Sequence, residues 1–189
     1  MAKILKRISA SEFNGLAGIE YFGFEEDFIE KNIRCIPMIV RFKLDKVGIK
    51  LKLDEWNRLV VEERIELACR SCSNEEETIK YRLYLSGLIK KRSNREATDL
   101  AIDRNPGWAD INKIPDLLLD KLIEDGLYVS LKQWKALTNL QRFVLLKLCR
   151  PGHESKNFPK ALREFGLTAT YTRFRGEKQA YEITGYHKD

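Results

Sequence analysis

Two stretches of this chain match each other at a fixed distance. Ile36-Pro37 answers Ile114-Pro115, Trp56 answers Trp134, and Arg64 answers Arg142, so the offset is 78 throughout, as from 56 to 134 and from 64 to 142. Between these anchors the shared choices continue: Lys43-Leu44 and Lys121-Leu122, Gly48 and Gly126, Leu51 and Val129, Leu53 and Leu131, Leu59 and Leu137. A repeat of this length is one supersecondary unit that cannot bury its apolar face alone, and two such units are expected to pack on each other.

The matched residues are those that helices need. Pro37 suits a helix start, where its missing N–H is harmless. Val40, Leu44 and Val47 follow at helical spacing, and Gly48 fits the left-handed position that ends a helix. Ile49, Leu51 and Leu53 alternate over a short extended connection. Leu53, Trp56 and Leu59 then predict a short helix, and a third helix follows from about 61 to 70. In the second copy Ser130 with Gln133 and Thr138 with Gln141 are capping boxes, so a turn separates the Trp134 helix from the one at 140–148. A further helix follows each copy. Ser73 and Glu76 are expected to cap the first of these, which carries Ile79, Tyr81, Leu85 and Leu88 inward. Asn157, Pro159 and Gly166 bracket the second. Asn105-Pro106-Gly107 is a turn signal between the halves, and Trp108 is expected to fill the groove there.

The expected fold is therefore all-α. Two pseudo-repeated helical units, copy one 34–92 and copy two 112–167, pack as one domain over residues 21–167. Residues 1–20 read as a flexible leader. Residues 168–189 alternate at Ala169, Tyr171 and Arg173, then Tyr181 and Ile183, which fits either a hairpin or an unstructured tail. The aromatic run Tyr21, Phe22, Phe24 and Phe28 reads as core packing.

With 43% hydrophobic and 33% charged residues the composition is that of a globular protein. No apolar run reaches the ~18 residues that span a bilayer, and no apolar core follows the basic start Lys3 to Arg7. The start is poor in acids, as transit peptides are, but Glu12 and the lack of an amphipathic stripe weigh against that. The expected location is cytoplasmic, with the four cysteines reduced.

The net charge of +6 is spread and mixed in sign. A helix–turn–helix nucleic-acid binder is one alternative function. However, the third helices are acidic in one copy (Glu62, Glu63, Glu66) and apolar in the other (Leu140, Val144, Leu148), where a recognition helix exposes Arg, Lys, Asn or Gln. A thiol-dependent metal or cluster carrier is another. Cys69-Arg70-Ser71-Cys72 has metal spacing, and Cys149 with His153 would complete a Cys3His set if the two ends met. The second copy lacks its own pair, and unpaired cysteine is commonly core packing. Gly152-His153-Glu154 resembles a base with an orienting carboxylate, yet no partner nucleophile accompanies it, and a loop capping the Asn157 helix is the plainer reading. No phosphate-binding glycine loop, nucleophile elbow or zinc-protease motif occurs. The chain is expected not to be an enzyme and to carry no cofactor.

One family resemblance rests on long runs. Arg34-Cys35-Ile36-Pro37-Met38, Val40 through Asp45, Gly48 through Leu53 and Glu55-Trp56 resemble the nitrate-reductase-associated protein family. So do Phe24 through Phe28, Gln133-Trp134, Gln141-Arg142-Phe143, Gly152-His153-Glu154, Asn157-Phe158 and Glu164 through Leu167. The resemblance implies an accessory or maturation factor associated with assimilatory nitrate reductase, a molybdopterin and iron–sulfur enzyme. It carries no catalytic residues over. The polar positions within the resembling runs are the expected partner-binding residues: Arg34, Arg41, Lys43, Asp45 and Lys50, with His153, Glu154 and Asn157.

Overall fold

The computed structural model describes residues 20–25 and 35–167. Arg34, residues 1–19 of the leader and the C-terminal hairpin or tail lie outside them. The described residues are mostly helical: α1 (Met38–Val47), β1 (Ile49–Lys50), α2 (Leu53–Arg58), α3 (Val61–Cys69), α4 (Glu75–Ser93), β2 (Thr98–Asp99), α5 (Asp116–Glu124), α6 (Leu131–Ala136), α7 (Asn139–Leu148), a 3-10 helix (His153–Asn157) and α8 (Phe158–Glu164). The chain divides into two compact units, Met1–Pro106 and Gly107–Asp189. That boundary falls inside the Asn105-Pro106-Gly107 turn signal. No helix among the described residues is long and apolar enough to cross a membrane.

In the first unit Pro37 precedes α1 with extended backbone, and Gly48 ends it at φ 66°. A Cβ at Gly48 would lie 2.9 Å from the Leu100 carbonyl oxygen and 2.8 Å from Ile102 Cγ1, so the position needs glycine for space as well as for conformation. That close approach is where β1 meets β2. The strands pair antiparallel, Ile49 with Asp99 and Lys50 with Thr98, and Leu100 N–H donates to the Gly48 carbonyl at 2.9 Å. The ladder confines the extended stretch to Ile49–Lys50, and Leu53 opens α2 as the Trp56 spacing predicts, though it is exposed.

α4 starts one residue later than expected. Asn74, not Ser73, is the cap, its Oδ1 accepting from Glu77 N–H at 2.9 Å. Tyr81, Leu85 and Leu88 do face inward, joined by Ile89. Ile79 does not, being 52% exposed. At about 100° per residue Ile79 lies roughly 160° round the helix from Tyr81, so the two cannot share a face.

In the second unit Pro115 precedes α5, and Gly126 follows it at φ 66°. Both predicted capping boxes are present: Ser130 Oγ and Thr138 Oγ1 accept from the Gln133 and Gln141 amides, whose side-chain oxygens accept in return from the Ser130 and Thr138 N–H groups. In the first unit only the returning half occurs, Glu55 taking the Lys52 N–H and Glu63 the Val60 N–H, because lysine and valine offer no side-chain acceptor. Trp134 is fully buried and donates its indole N–H to the Asp110 carbonyl at 2.9 Å. Trp108 packs edge-on against Phe143 in the same unit.

Candidate functional site

The densest polar arrangement in the first unit lies at the C-terminal end of α3. A helix end leaves its last carbonyls without intrahelical donors. Here side chains supply them. Tyr81 Oη donates to the Leu67 carbonyl at 3.0 Å, and Lys43 Nζ donates to Ala68 and Arg70 at 2.6 and 2.8 Å. Lys46, one turn further along α1, donates to the Cys72 carbonyl. The two ammonium groups also sit where the helix dipole favours cations.

This placement corrects one expectation. Lys43 was assigned to a partner-binding surface, yet it is only 6% exposed and points inward at α3, with its ammonium 5.9 Å from the centre of the Tyr81 ring. Its position on α1, one residue before Leu44, puts it on the buried side. Burial pushes its amine down to about 8, against the weaker pull of the nearby Cys72 and Cys69 thiols.

Burial likewise pushes the Cys69 thiol up, and pushes Cys149 up to about 12. In both cases burial disfavours the thiolate, the form that acts as nucleophile. Cys72 Sγ lies 3.5 Å from Thr78 Oγ1. Cys69 and Cys72 belong to the first unit, Cys149 and His153 to the second. Among the described residues no group of three or more histidine, cysteine and acidic side chains is placed to hold a metal ion.

The remaining expected residues fall into two places. On α1, Arg41 is half-buried and its Nε donates to the Ile36 carbonyl at 2.8 Å, while Asp45 is half-buried one turn on. Lys50 is exposed on β1. In the second unit His153–Asn157 form a 3-10 turn after α7, held by Ser155, whose N–H and Oγ both donate to the Gly152 carbonyl at 3.1 and 2.6 Å. The side chains of His153 and Glu154 are outside the described structure. Asn157 is half-buried and makes no capping hydrogen bond to α8, because its own backbone is already helical. The loop is therefore not the side-chain cap expected for that helix.

Two residues that organise this region were not foreseen. Glu25 reaches 13 residues along the chain to accept from Met38 N–H, the first amide of α1, at 2.8 Å. Its signal was available, since a helix starting after proline has no side-chain cap of its own. Arg82 donates from α4 to the Val47 and Gly48 carbonyls at 2.6 and 2.9 Å and pairs with Asp99, tying α1, α4 and β2 together. Nothing in its local sequence distinguishes it from a solvated helix arginine.

Such an arrangement fixes helix ends with buried cations and hydroxyls, and it defines the chain as a mainly helical scaffold with mixed-charge polar edges. The model of the conserved nitrate reductase-associated protein family matches residues 21–165, and the chain belongs to that family. No curated protein and no solved structure matches it.

Proposed function

We propose that the protein is a non-enzymatic accessory or maturation factor for assimilatory nitrate reductase and acts in the cytoplasm by binding the reductase or its assembly machinery. The observation that carries this reading is the family match over residues 21–165, which spans both units. The well-defined polar cluster at α3 supports a scaffold role, because its donors are spent on main-chain carbonyls rather than left for a substrate. The partner surfaces we assign are the edge at Arg41, Asp45 and Lys50, with Arg34 before it, and the segment His153–Asn157. The nucleic-acid alternative gains nothing from α3, whose exposed or half-exposed acids are Glu62 and Glu66.

We also read the two units as copies of one ancestral unit. The starts of α1 and α5, of α2 and α6, and of α3 and α7 all keep the 78-residue offset, as do the left-handed glycines 48 and 126. A pull-down of the tagged protein from nitrate-grown cells, paired with a deletion strain, tests the function. The reductase is expected to co-purify and its activity to fall on deletion. Neither happening refutes the proposal.

A further inference from the structure

The long helix α4 carries an outward face that the described residues of its own unit leave uncovered. Leu83 is 68% exposed and Ile79 is exposed on the same side. At about 100° per residue, Glu76, Ile79, Lys80, Gly87 and Lys90 all fall within roughly 60° of Leu83. Scattered exposed apolar residues need no explanation, but two on adjacent turns of one helix, bounded by charges, form a seam.

Gly87 is the second, independent observation. A glycine inside a helix costs about 1 kcal/mol relative to alanine. It needs a reason, and the described residues supply none: among them an added Cβ would meet nothing within 4 Å, and the residue is not in the left-handed region. What glycine does provide on an exposed helix face is a notch into which another chain can place a large side chain.

The face is self-complementary about Leu83. Glu76 and Lys90 lie seven residues to either side of it, and Ile79 and Gly87 lie four to either side. We propose that α4 pairs with α4 of a second copy of this chain, antiparallel, across a two-fold axis at Leu83. Leu83 then meets its own counterpart, Ile79 enters the Gly87 notch of the other copy, and Glu76 faces Lys90. A parallel arrangement sets Glu76 on Glu76 and Lys90 on Lys90, and aligns the helix dipoles unfavourably. The existing partners of these charges do not hold them back. Lys80–Glu76 and Lys90–Glu96 are exposed pairs of the kind that contribute little. The seam involves far fewer than the roughly 20–30 residues a side of a stable interface, so the dimer is a weak and reversible one.

Sedimentation equilibrium of the full chain from about 5 to 500 µM tests this. The weight-average mass is expected to rise from the monomer's 22.1 kDa towards twice that value. Leu83→Lys is expected to weaken association at least tenfold, as is Glu76→Lys, while the double variant Glu76→Lys/Lys90→Glu restores it, since the swap preserves antiparallel complementarity. All these positions are exposed, and circular dichroism checks that each variant keeps its helix content. A mass that stays monomeric at 500 µM overturns the proposal. So does association that Leu83→Lys leaves unchanged, or a double variant no better than the single one. Loss of reductase co-purification by Leu83→Lys in a strictly monomeric protein also overturns it, and gives the face to the reductase instead. The pairing does not depend on the accessory role, so failure of either leaves the other standing.

Discussion

Replacing Arg142 with methionine is the most direct test of how the second unit is held. Arg142 is 4% exposed, lies on α7, and closes the end of α6. Its Nη1 donates to the Leu137 carbonyl at 2.5 Å and, more weakly, to Trp134 at 3.4 Å. Nε donates to Trp108 at 2.8 Å, and Nη2 to the Asn139 side chain. The guanidinium also stands 5.7 Å from the centre of the Trp134 ring. Methionine keeps much of the volume and removes every donor. Hydrogen bonds to a charged group are each worth about 1.5–3 kcal/mol, and two of these are short. Part of that is returned, because burial disfavours the cation, as its lowered pKa indicates. The net loss is therefore on the order of 3 kcal/mol. Arg142→Lys is expected to recover less than half, since one ammonium cannot reproduce the planar fork that reaches three segments. Urea unfolding followed by circular dichroism, with tryptophan fluorescence reporting on the Trp134 environment, measures both variants. A methionine variant within ~1 kcal/mol of wild type, or a lysine variant as stable as wild type, refutes the account.

Three further outcomes are expected. Gly48→Ala loses about 2–3 kcal/mol in urea unfolding, because left-handed strain of about 1–2 kcal/mol adds to the clash with the Leu100 carbonyl, whereas Gly126→Ala, with open space at the same φ, loses only the strain; equal losses rule out the close approach. Lys43 is a base whose folded pKa of about 8 lies below the ordinary 10.5, so between those values the unfolded chain binds more protons and stability rises with pH; wild type is expected to gain up to ~3 kcal/mol over Lys43→Met between pH 7.5 and 10.5, and a constant gap between the two contradicts the burial of a cation. Glu55 is 1% exposed, with Oε2 on the Lys52 amide and Oε1 without a hydrogen-bond partner, so Glu55→Gln, which matches Gln133 at the same place in the other unit, is expected to hold or raise the melting temperature while Glu55→Ala loses ~1 kcal/mol; a glutamine variant as damaged as the alanine one is the contrary result.

What could be read from sequence was whatever depends on neighbours in the chain. Both capping boxes in the second unit are Ser or Thr with Gln three residues on, and all their hydrogen bonds close within that span. Gly48 and Gly126 announce left-handed helix ends because glycine takes that conformation without a Cβ penalty. Arg64 and Arg142 occupy matched positions in the two copies. They hold helix ends, each reaching the carbonyl of the tryptophan eight residues earlier. The Ser73 cap failed only by one residue, because serine and asparagine are both good caps and the choice lay in backbone geometry.

The rest was decided by packing between segments distant in sequence. Lys43 and Arg41 are two residues apart on α1 and looked alike. Only the arrival of α3, 25 residues on, turned the lysine into a buried cap on the Ala68 carbonyl. Ile79 looked like a core residue because it is apolar and close to Tyr81, but the direction from which the rest of the unit approaches α4 left it outside. The β1–β2 ladder pairs residues about 50 positions apart: the alternation from Ile49 marked an extended stretch, but nothing local named Thr98–Asp99 as its partner. Sequence by itself determined the helices, most of their ends and the family, since each rests on short-range hydrogen bonds or on residue identity. Tertiary structure decided which charges are buried and which apolar side chains are left exposed, because burial depends on what packs against a face and no local pattern encodes that.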